Sequence, residues 1–214
     1  MLCRLGGPSQ LPVLDAEQQS VRRVFDEQVR MRLTLKLHPD SRCAAATGIE
    51  VEVRRLFGGV VELSYRLWGM IGDLLVPPRA TPAHGDELWR HTCFEVFIRG
   101  LGRAEYYEMN FSPSMEWAAY RFNGYRNGMI VVPEIAPPRM DIAANADNLQ
   151  LRALLELGRL KDLPSDAAWQ IGISAVVEET SGRISYWALQ HPPGKADFHH
   201  RDCFALTLPA TIEP

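Results

Sequence analysis

The sequence has no long run of apolar residues. A membrane-spanning helix needs about 18 consecutive apolar residues, and no stretch of the 214 residues approaches that length. Apolar residues (46%) and charged residues (23%) instead occur in the proportions of an ordinary globular protein. The sequence therefore predicts that the protein has no membrane partner.

An excess of positive charge is also missing. The formal net charge is −3, and acidic and basic residues are interspersed. Nucleic-acid binding needs a basic patch or stripe, and the chain offers only a small local cluster of arginines between residues 22 and 32. We therefore expect no nucleic-acid partner.

Motifs for metal binding, phosphate binding and nucleophilic catalysis are absent as well. The four cysteines are widely spaced and form no CxxC pair. No GxSxG elbow, P-loop or dinucleotide-binding GxGxxG occurs. The first residues, MLCRLGGPSQLP, contain no apolar h-region or A-x-A site. These absences predict no catalytic nucleophile and no metal site, and they favour a cytoplasmic location.

Short stretches with a period of two residues dominate the rest of the chain. In MRLTLKLHP, which begins at Met31, apolar and polar residues alternate as in a half-buried strand. Leu149 to Leu157 alternates too, although its composition favours a helix, and its strand-like neighbours decide for a strand. We predict an all-β fold, an antiparallel β-sandwich or jelly roll of about ten strands, over residues 31–214. Residues 1–30 are expected to form an appendage with a short helix from Ala16 to Val29.

The stretch between residues 88 and 122 places polar side chains within strand-like runs. Because strand side chains alternate between faces, Glu95 shares a face with His91, and Glu108 shares one with Asn110. We expect a sheet with one apolar face and one face on which polar groups lie beside aromatic rings. The polar residues expected on that face are Glu95, Glu108, Asn110 and Arg121.

Two interpretations of the paired glutamates remain open. Glu95 and Glu108 could act as the acid and base of a glycosidase if they face each other across neighbouring strands. Alternatively, each could form an ion pair with Arg90 or Arg121 on a solvated face. The second arrangement is common in sheets, and the sequence favours a binding protein over an enzyme.

Three blocks together resemble a known family. LWRHTCFEVFI from Leu88, YEMNFSPSMEWAAYRF from Tyr107 and SYWALQHPPGKADFHHRDCF from Ser185 are similar to bacterial DOMON-like proteins, which are allied to type 9 carbohydrate-binding modules. The resemblance covers roughly residues 31–208 and implies a β-sandwich whose relatives bind sugars or haem.

The resemblance also implies roles for particular residues. In the sugar-binding relatives tryptophans stack on a sugar and polar residues hold its hydroxyls. Here those parts would fall to Trp117 or Trp187 and to Glu95, Asn110 or Arg121. In the haem-binding relatives a Met and a His ligate the iron. Here the ligands would be Met109 or Met115 with His191 or His199.

The leading hypothesis is a non-catalytic protein that binds a carbohydrate or sugar-like small molecule on one sheet face, with no cofactor. The first alternative is a haem-binding electron-transfer or sensor domain, and the second is a glycoside-processing enzyme with two carboxylates. The residues predicted to bind the ligand are Arg90, His91, Glu95, Glu108, Asn110, Trp117, Arg121, Trp187, His191 and His199.

Overall fold

A computed structural model describes residues 30–211, which contain thirteen strands and four short 3-10 turns. The strands are β1 (Arg30–Leu37), β2 (Ala46–Leu56), β3 (Val60–Gly69), β4 (Ala83–His84), β5 (Cys93–Gly100), β6 (Tyr106–Phe111), β7 (Glu116–Phe122), β8 (Ile130–Val131), β9 (Arg139–Ala144), β10 (Asn148–Glu156), β11 (Trp169–Glu178), β12 (Ile184–Ala188) and β13 (Leu206–Leu208). The 3-10 turns are Phe57–Gly59, Ile71–Asp73, Leu88–Arg90 and Arg201–Cys203. Within this part of the chain no helix is long and apolar enough to cross a membrane. The helix predicted from Ala16 to Val29 lies outside the described residues.

The strands form two sheets that share β1. The first sheet has the order β1-β2-β3-β10-β9, and the second has the order β4-β7-β6-β5-β11-β12. Residues Arg30–Leu35 of β1 pair with β2, whereas Lys36 and Leu37 pair with β12. The short strands β8 and β13 are added to β7 and β11. Every pair is antiparallel except the two-residue pair of β4 with β7.

Alternation of apolar and polar residues determines which side chains of the first sheet are buried. In β2, Ile49, Val51 and Val53 are fully buried, and the residues between them are only partly buried. β10 pairs with β3 over nine residues and buries Leu149 and Leu151 in the same way. The prediction of a strand here is confirmed, because packing of one apolar face outweighs the helix propensity of Leu, Ala, Glu and Arg.

The two sheets pack face to face around one apolar core. Tyr65 of β3 shows the contact, because its hydroxyl donates to the Glu95 carbonyl oxygen of β5 at 2.8 Å. Its ring also lies 4.9 Å from the ring of Phe94, between centroids. The predicted all-β sandwich is therefore confirmed. The strands beyond the expected ten are only two or three residues long, namely β4, β8 and β13.

Arg55 of β2 fastens two loops to the sandwich. Its side chain is buried, with 2% of its surface exposed, and its guanidinium lies 3.6 Å from the centroid of the Trp169 ring. It donates hydrogen bonds to the carbonyl oxygens of Ser165 (3.0 Å), Ala167 (2.9 Å) and Pro209 (2.7 Å). One side chain therefore ties the segment before β11 and the segment after β13 to the first sheet.

Candidate functional site

The second sheet is covered on both faces. Its inner face packs on the first sheet, and its outer face carries a separate apolar cluster to which Phe97, Phe122 and Phe198 belong. A cavity of about 520 Å³, which we call the outer-face cavity, lies within this second layer. Its aromatic lining comes from Trp89, Phe97, Phe122, Tyr186 and Phe198, and its polar lining from Glu95, Glu108, Arg126 and His199.

A groove of similar size, about 510 Å³, crosses the outer face of the first sheet. Several of its charged side chains are already paired, for example Arg30 with Glu52 at 2.7 Å and Arg54 with Glu62 at 3.2 Å. Ion pairs between oppositely charged residues on neighbouring strands are common on the polar face of a sheet. The outer-face cavity, which combines aromatic rings with buried carboxylates, is the better candidate for a ligand site.

Strand pairing brings the two glutamates of the cavity together. Asn110 lies directly across from Glu95, and Glu108 lies directly across from Phe97. Glu95 and Glu108 are therefore diagonal neighbours on adjacent strands, a relation that puts Cβ atoms about 7 Å apart or less. Ser174 Oγ donates to Glu95 Oε2 at 3.1 Å, and Asn110 Nδ2 donates to Glu108 Oε1 at 2.8 Å.

Burial of these carboxyl groups changes their protonation. The exposed fraction is 2% for Glu95 and 5% for Glu108. Burial, followed by the neighbouring charge of Glu108, raises the pKa of Glu95 well above its usual value. Burial also raises the pKa of Glu108 to about 7. Since water solvates carboxylates better than a protein interior does, the pair holds at least one proton at neutral pH.

His199 forms part of the cavity wall. Its ring lies 5.1 Å from both Phe97 and Phe122, and its Nε2 lies 3.7 Å from Glu108 Oε2. The Tyr106 hydroxyl accepts the backbone N–H of Arg126 at 3.2 Å and lies 2.8 Å from His199 Nδ1. Tyr106 and His199 are therefore joined by one hydrogen bond, whose donor depends on the tautomer of the imidazole. Burial lowers the pKa of His199 to about 4, so the imidazole is neutral at pH 7.

Arg126 supplies a compensated positive charge at the cavity. It follows β7 in a tight turn and has a left-handed backbone, with φ of 49°. Its Nη2 donates to Asp197 Oδ1 at 2.8 Å, and the Tyr125 hydroxyl donates to Asp197 Oδ2 at 2.5 Å. The hydrogen bonds to Asp197 fix the guanidinium and neutralise its charge.

Three of the residues predicted from the sequence line this cavity, and a fourth supports it. Glu95, Glu108 and His199 face the space, and the fully buried Asn110 holds Glu108. Arg121 requires a correction. It lies across from Tyr107, on the opposite face of the second sheet, and its Nε donates to Asp162 Oδ2 at 2.8 Å. The expectation that Arg121 shares a face with Glu95 is wrong.

Both tryptophans named for sugar stacking lie in the core between the sheets. Trp117 is 9% exposed, and Trp187 is 5% exposed. The indole N–H of Trp187 donates to Ser185 Oγ at 3.1 Å. Each alternates with outer-face residues of its own strand, which turns the ring inwards. This corrects their expected place on the ligand-binding face.

The remaining predicted residues lie elsewhere on the surface. Arg90 pairs with Glu87 at 2.7 Å, and His91 Nδ1 lies 2.7 Å from Glu178 Oε2. His191 Nε2 bonds to the carbonyl oxygen of Lys36 at 2.8 Å. None of the three predicted residues lines the outer-face cavity.

Haem ligation by a Met and His pair meets a geometric obstacle. Met109 and Met115 pack in the core between the sheets, whereas His199 lies on the outer face of the second sheet. Met109 and His199 therefore cannot reach one iron, because the sheet separates them. No cluster of three or more His, Cys, Asp or Glu side chains suited to a metal ion occurs in residues 30–211.

Several cavity residues are absent from the set of ligand-binding residues predicted from the sequence. Trp89, Arg126 and Phe198 come from segments between strands, whose folding over the sheet has no periodic signal. Phe97 could have been predicted, because it lies two residues after Glu95 in the same strand and therefore on the same face. Tyr186 reaches the cavity because β12 pairs with β11, and β11 pairs with β5.

These observations define an all-β sandwich with an aromatic, acidic cavity on the outer face of its second sheet. No protein-family model matches the sequence, and no curated protein matches it. Among solved structures, a Bacteroides uniformis protein for which carbohydrate binding has been proposed is similar, with 10% identity and a TM-score of 0.63 over 90% of this chain and 92% of that one. At this identity the likeness shows the fold.

Two structures of a family 9 carbohydrate-binding module from Caldicellulosiruptor kristjanssonii are also similar, more loosely. The complex with cellotriose has 13% identity and a TM-score of 0.48, over 86% of this chain and 83% of that one. The complex with glucose has 12% identity and a TM-score of 0.40, over 88% and 84%.

Proposed function

We propose that the protein binds a carbohydrate in the outer-face cavity and does not transform it. The observation that carries the proposal is the meeting of partly exposed aromatic rings with two buried carboxyl groups in one space of about 520 Å³. That volume falls within the range of small-molecule sites, about 300–1,000 Å³. The sandwich fold shared with the Bacteroides uniformis protein supports it, and the resemblance to DOMON-like proteins is part of the same proposal.

The lining residues suit the two sides of a sugar ring. Tyr186, 37% exposed, and the partly buried Trp89 offer flat apolar surfaces to the C–H face of a sugar. Glu95 and Glu108 each present a carboxyl oxygen that accepts no hydrogen bond from the residues between 30 and 211. These oxygens can accept sugar hydroxyls, and buried acceptors gain from being satisfied.

A glycan array followed by calorimetry of each hit tests the proposal. We expect at least one saccharide to bind the full chain. Mass spectrometry of that saccharide after incubation with the protein shows whether it is bound unchanged or hydrolysed. Failure of every saccharide to bind the folded protein contradicts carbohydrate binding, and release of a shorter sugar contradicts the absence of catalysis.

The Trp89→Ala variant is expected to bind the best saccharide about tenfold more weakly, because one aromatic stacking surface is lost. The matched control is Trp68→Ala. Trp68 is another partly buried tryptophan, but it lies in the first sheet with Arg66 5.7 Å from its ring centroid. Calorimetry measures the affinity of both variants for the saccharide. Equal losses of affinity in the two variants contradict a role of Trp89 in the site.

A further inference from the structure

The floor of the outer-face cavity presents carboxyl oxygens that accept no hydrogen bond from the described residues. Glu95 Oε1 accepts no hydrogen bond from the described residues, and Glu108 Oε2 has only His199 Nε2 at 3.7 Å, beyond hydrogen-bond distance. Asn110 Oδ1, on the same face and fully buried beside Glu95, also has no partner within residues 30–211. Of these three oxygens, those of Glu95 and Glu108 belong to residues that line the cavity, and they favour a small ligand group with several donors.

The charge of the cavity is negative once its pairs are counted. Arg126 is compensated by Asp197, which it contacts at 2.8 Å. His199 is neutral at pH 7 because burial lowers its pKa to about 4. Cys93, two residues before Glu95 in β5, is also uncharged, since burial raises the pKa of its thiol well above the usual value. The remaining negative charge therefore comes from the carboxyl pair, which holds at least one proton at neutral pH and so carries at most one negative charge before a ligand binds.

The walls of the cavity favour a cation as well. Trp89, Phe97, Phe122 and Phe198 surround the two carboxyl groups. Aromatic faces attract cations, and the attraction grows when the cation is desolvated. An aromatic enclosure with an acidic floor therefore stabilises a positive group more than a neutral hydroxyl.

We propose that the ligand carries a protonated amine that binds between Glu95 and Glu108, which makes its class an amino sugar. This inference rests on the proposed function and narrows it. An ammonium group has three N–H donors and no acceptor, and the free carboxyl oxygens of Glu95 and Glu108, which line the cavity, can accept two of these donors. Ionisation of the carboxyl pair accompanies binding, so a proton leaves the pair for the solvent when the ammonium enters.

Calorimetry of the full-length protein at pH 7 with glucosamine, glucose, N-acetylglucosamine and cyclohexylamine tests the inference. We expect glucosamine to bind about tenfold more tightly or better than glucose and N-acetylglucosamine, because only glucosamine has a charged amine. Repeating the titration in two buffers with different ionisation enthalpies should show release of up to about one proton for glucosamine and none for glucose.

The Glu108→Gln variant keeps the size of the side chain and is expected to lose the preference for glucosamine. The matched control, Glu50→Gln, removes a carboxylate from the first sheet, outside this cavity, and should keep the preference. Circular dichroism shows whether each variant is folded. If Glu108→Gln does not fold, the inference is still tested on the wild-type protein, by comparing the four ligands and by measuring the protons released on binding.

Each outcome separates this inference from the proposed function. Equal affinities for glucose and glucosamine overturn the amine and leave carbohydrate binding standing. Tighter binding of cyclohexylamine than of glucosamine overturns the assignment to a sugar. Absence of binding by all four compounds and by the glycan array overturns both. Tight binding of Ca²⁺ that excludes glucosamine also overturns the inference, because the oxygens then serve a metal ion.

Discussion

The difference in unfolding free energy between Glu108→Gln and the wild-type protein is expected to grow by about 2–3 kcal/mol from pH 5 to pH 8, in favour of the variant. Glu108 is 5% exposed, and burial raises its pKa from the usual 4.5 to about 7. The site therefore costs the wild-type fold stability at alkaline pH. Glutamine removes that cost because it has no proton to lose.

The direction of this pH dependence follows from how many protons the folded and unfolded states bind. Below the unfolded pKa of about 4.5, Glu108 is protonated in both states and costs nothing. Between pH 4.5 and 7 the unfolded chain releases the proton while the folded chain keeps it, so stability falls as pH rises. Above pH 7 the loss is complete. Glu95, whose pKa is raised by burial and by Glu108, acts in the same direction.

Other groups titrate in the opposite sense but are common to both proteins. The pKa of His199 is lowered to about 4 by burial, so its contribution is lost as pH falls below 6.5. Asp197, the partner of Arg126, has a lowered pKa because its hydrogen bonds to Tyr125 and Arg126 outweigh its burial. Both contributions cancel in the difference between variant and wild type.

Urea denaturation at pH 5, 6.5 and 8 measures this difference. The control, Glu50→Gln, removes a carboxylate on the first sheet and is expected to leave the pH profile of the wild type unchanged. A gap between Glu108→Gln and wild type that stays constant across the three pH values contradicts the buried, protonated state of the pair.

Arg55→Ala is expected to destabilise the protein by about 3–5 kcal/mol. Arg55 is 2% exposed and satisfies the carbonyl oxygens of Ser165, Ala167 and Pro209. Alanine leaves those oxygens without their partner and opens a cavity beside Trp169, whose ring now stacks on the guanidinium at 3.6 Å.

Arg55→Lys is the matched comparison. Lysine keeps the charge but lacks the planar fork that reaches several carbonyl oxygens at once. The stability of Arg55→Lys, measured by urea denaturation, should therefore lie between those of the wild-type protein and Arg55→Ala. If Arg55→Ala unfolds at the same urea concentration as the wild type, the two loops are held by something other than Arg55.

The strands could be predicted because the alternation of apolar and polar residues is visible in the local sequence. Ile49, Val51 and Val53 alternate with polar residues, and that parity alone decides which side chains are buried. The same parity placed Glu95 and Glu108 on candidate polar faces of consecutive strands. Pairing of β5 with β6 then brought the two carboxyl groups to one cavity.

The cavity itself could not be predicted, because it depends on how segments between strands fold over the sheet. Trp89 and Phe198 are far apart in sequence, and no repeat links them. Arg121 was misplaced for a related reason. Its partner Asp162 belongs to a segment between β10 and β11, and that contact satisfies an arginine on the core side of the sheet edge.

A crystal structure of the full chain with its tightest-binding saccharide tests the central claim most directly. The account predicts that the sugar occupies the outer-face cavity, with one ring against Trp89 or Tyr186 and a donor group within hydrogen-bond distance of Glu95 or Glu108. A sugar bound elsewhere, for example in the groove of the first sheet, with the outer-face cavity free of it, would contradict the account.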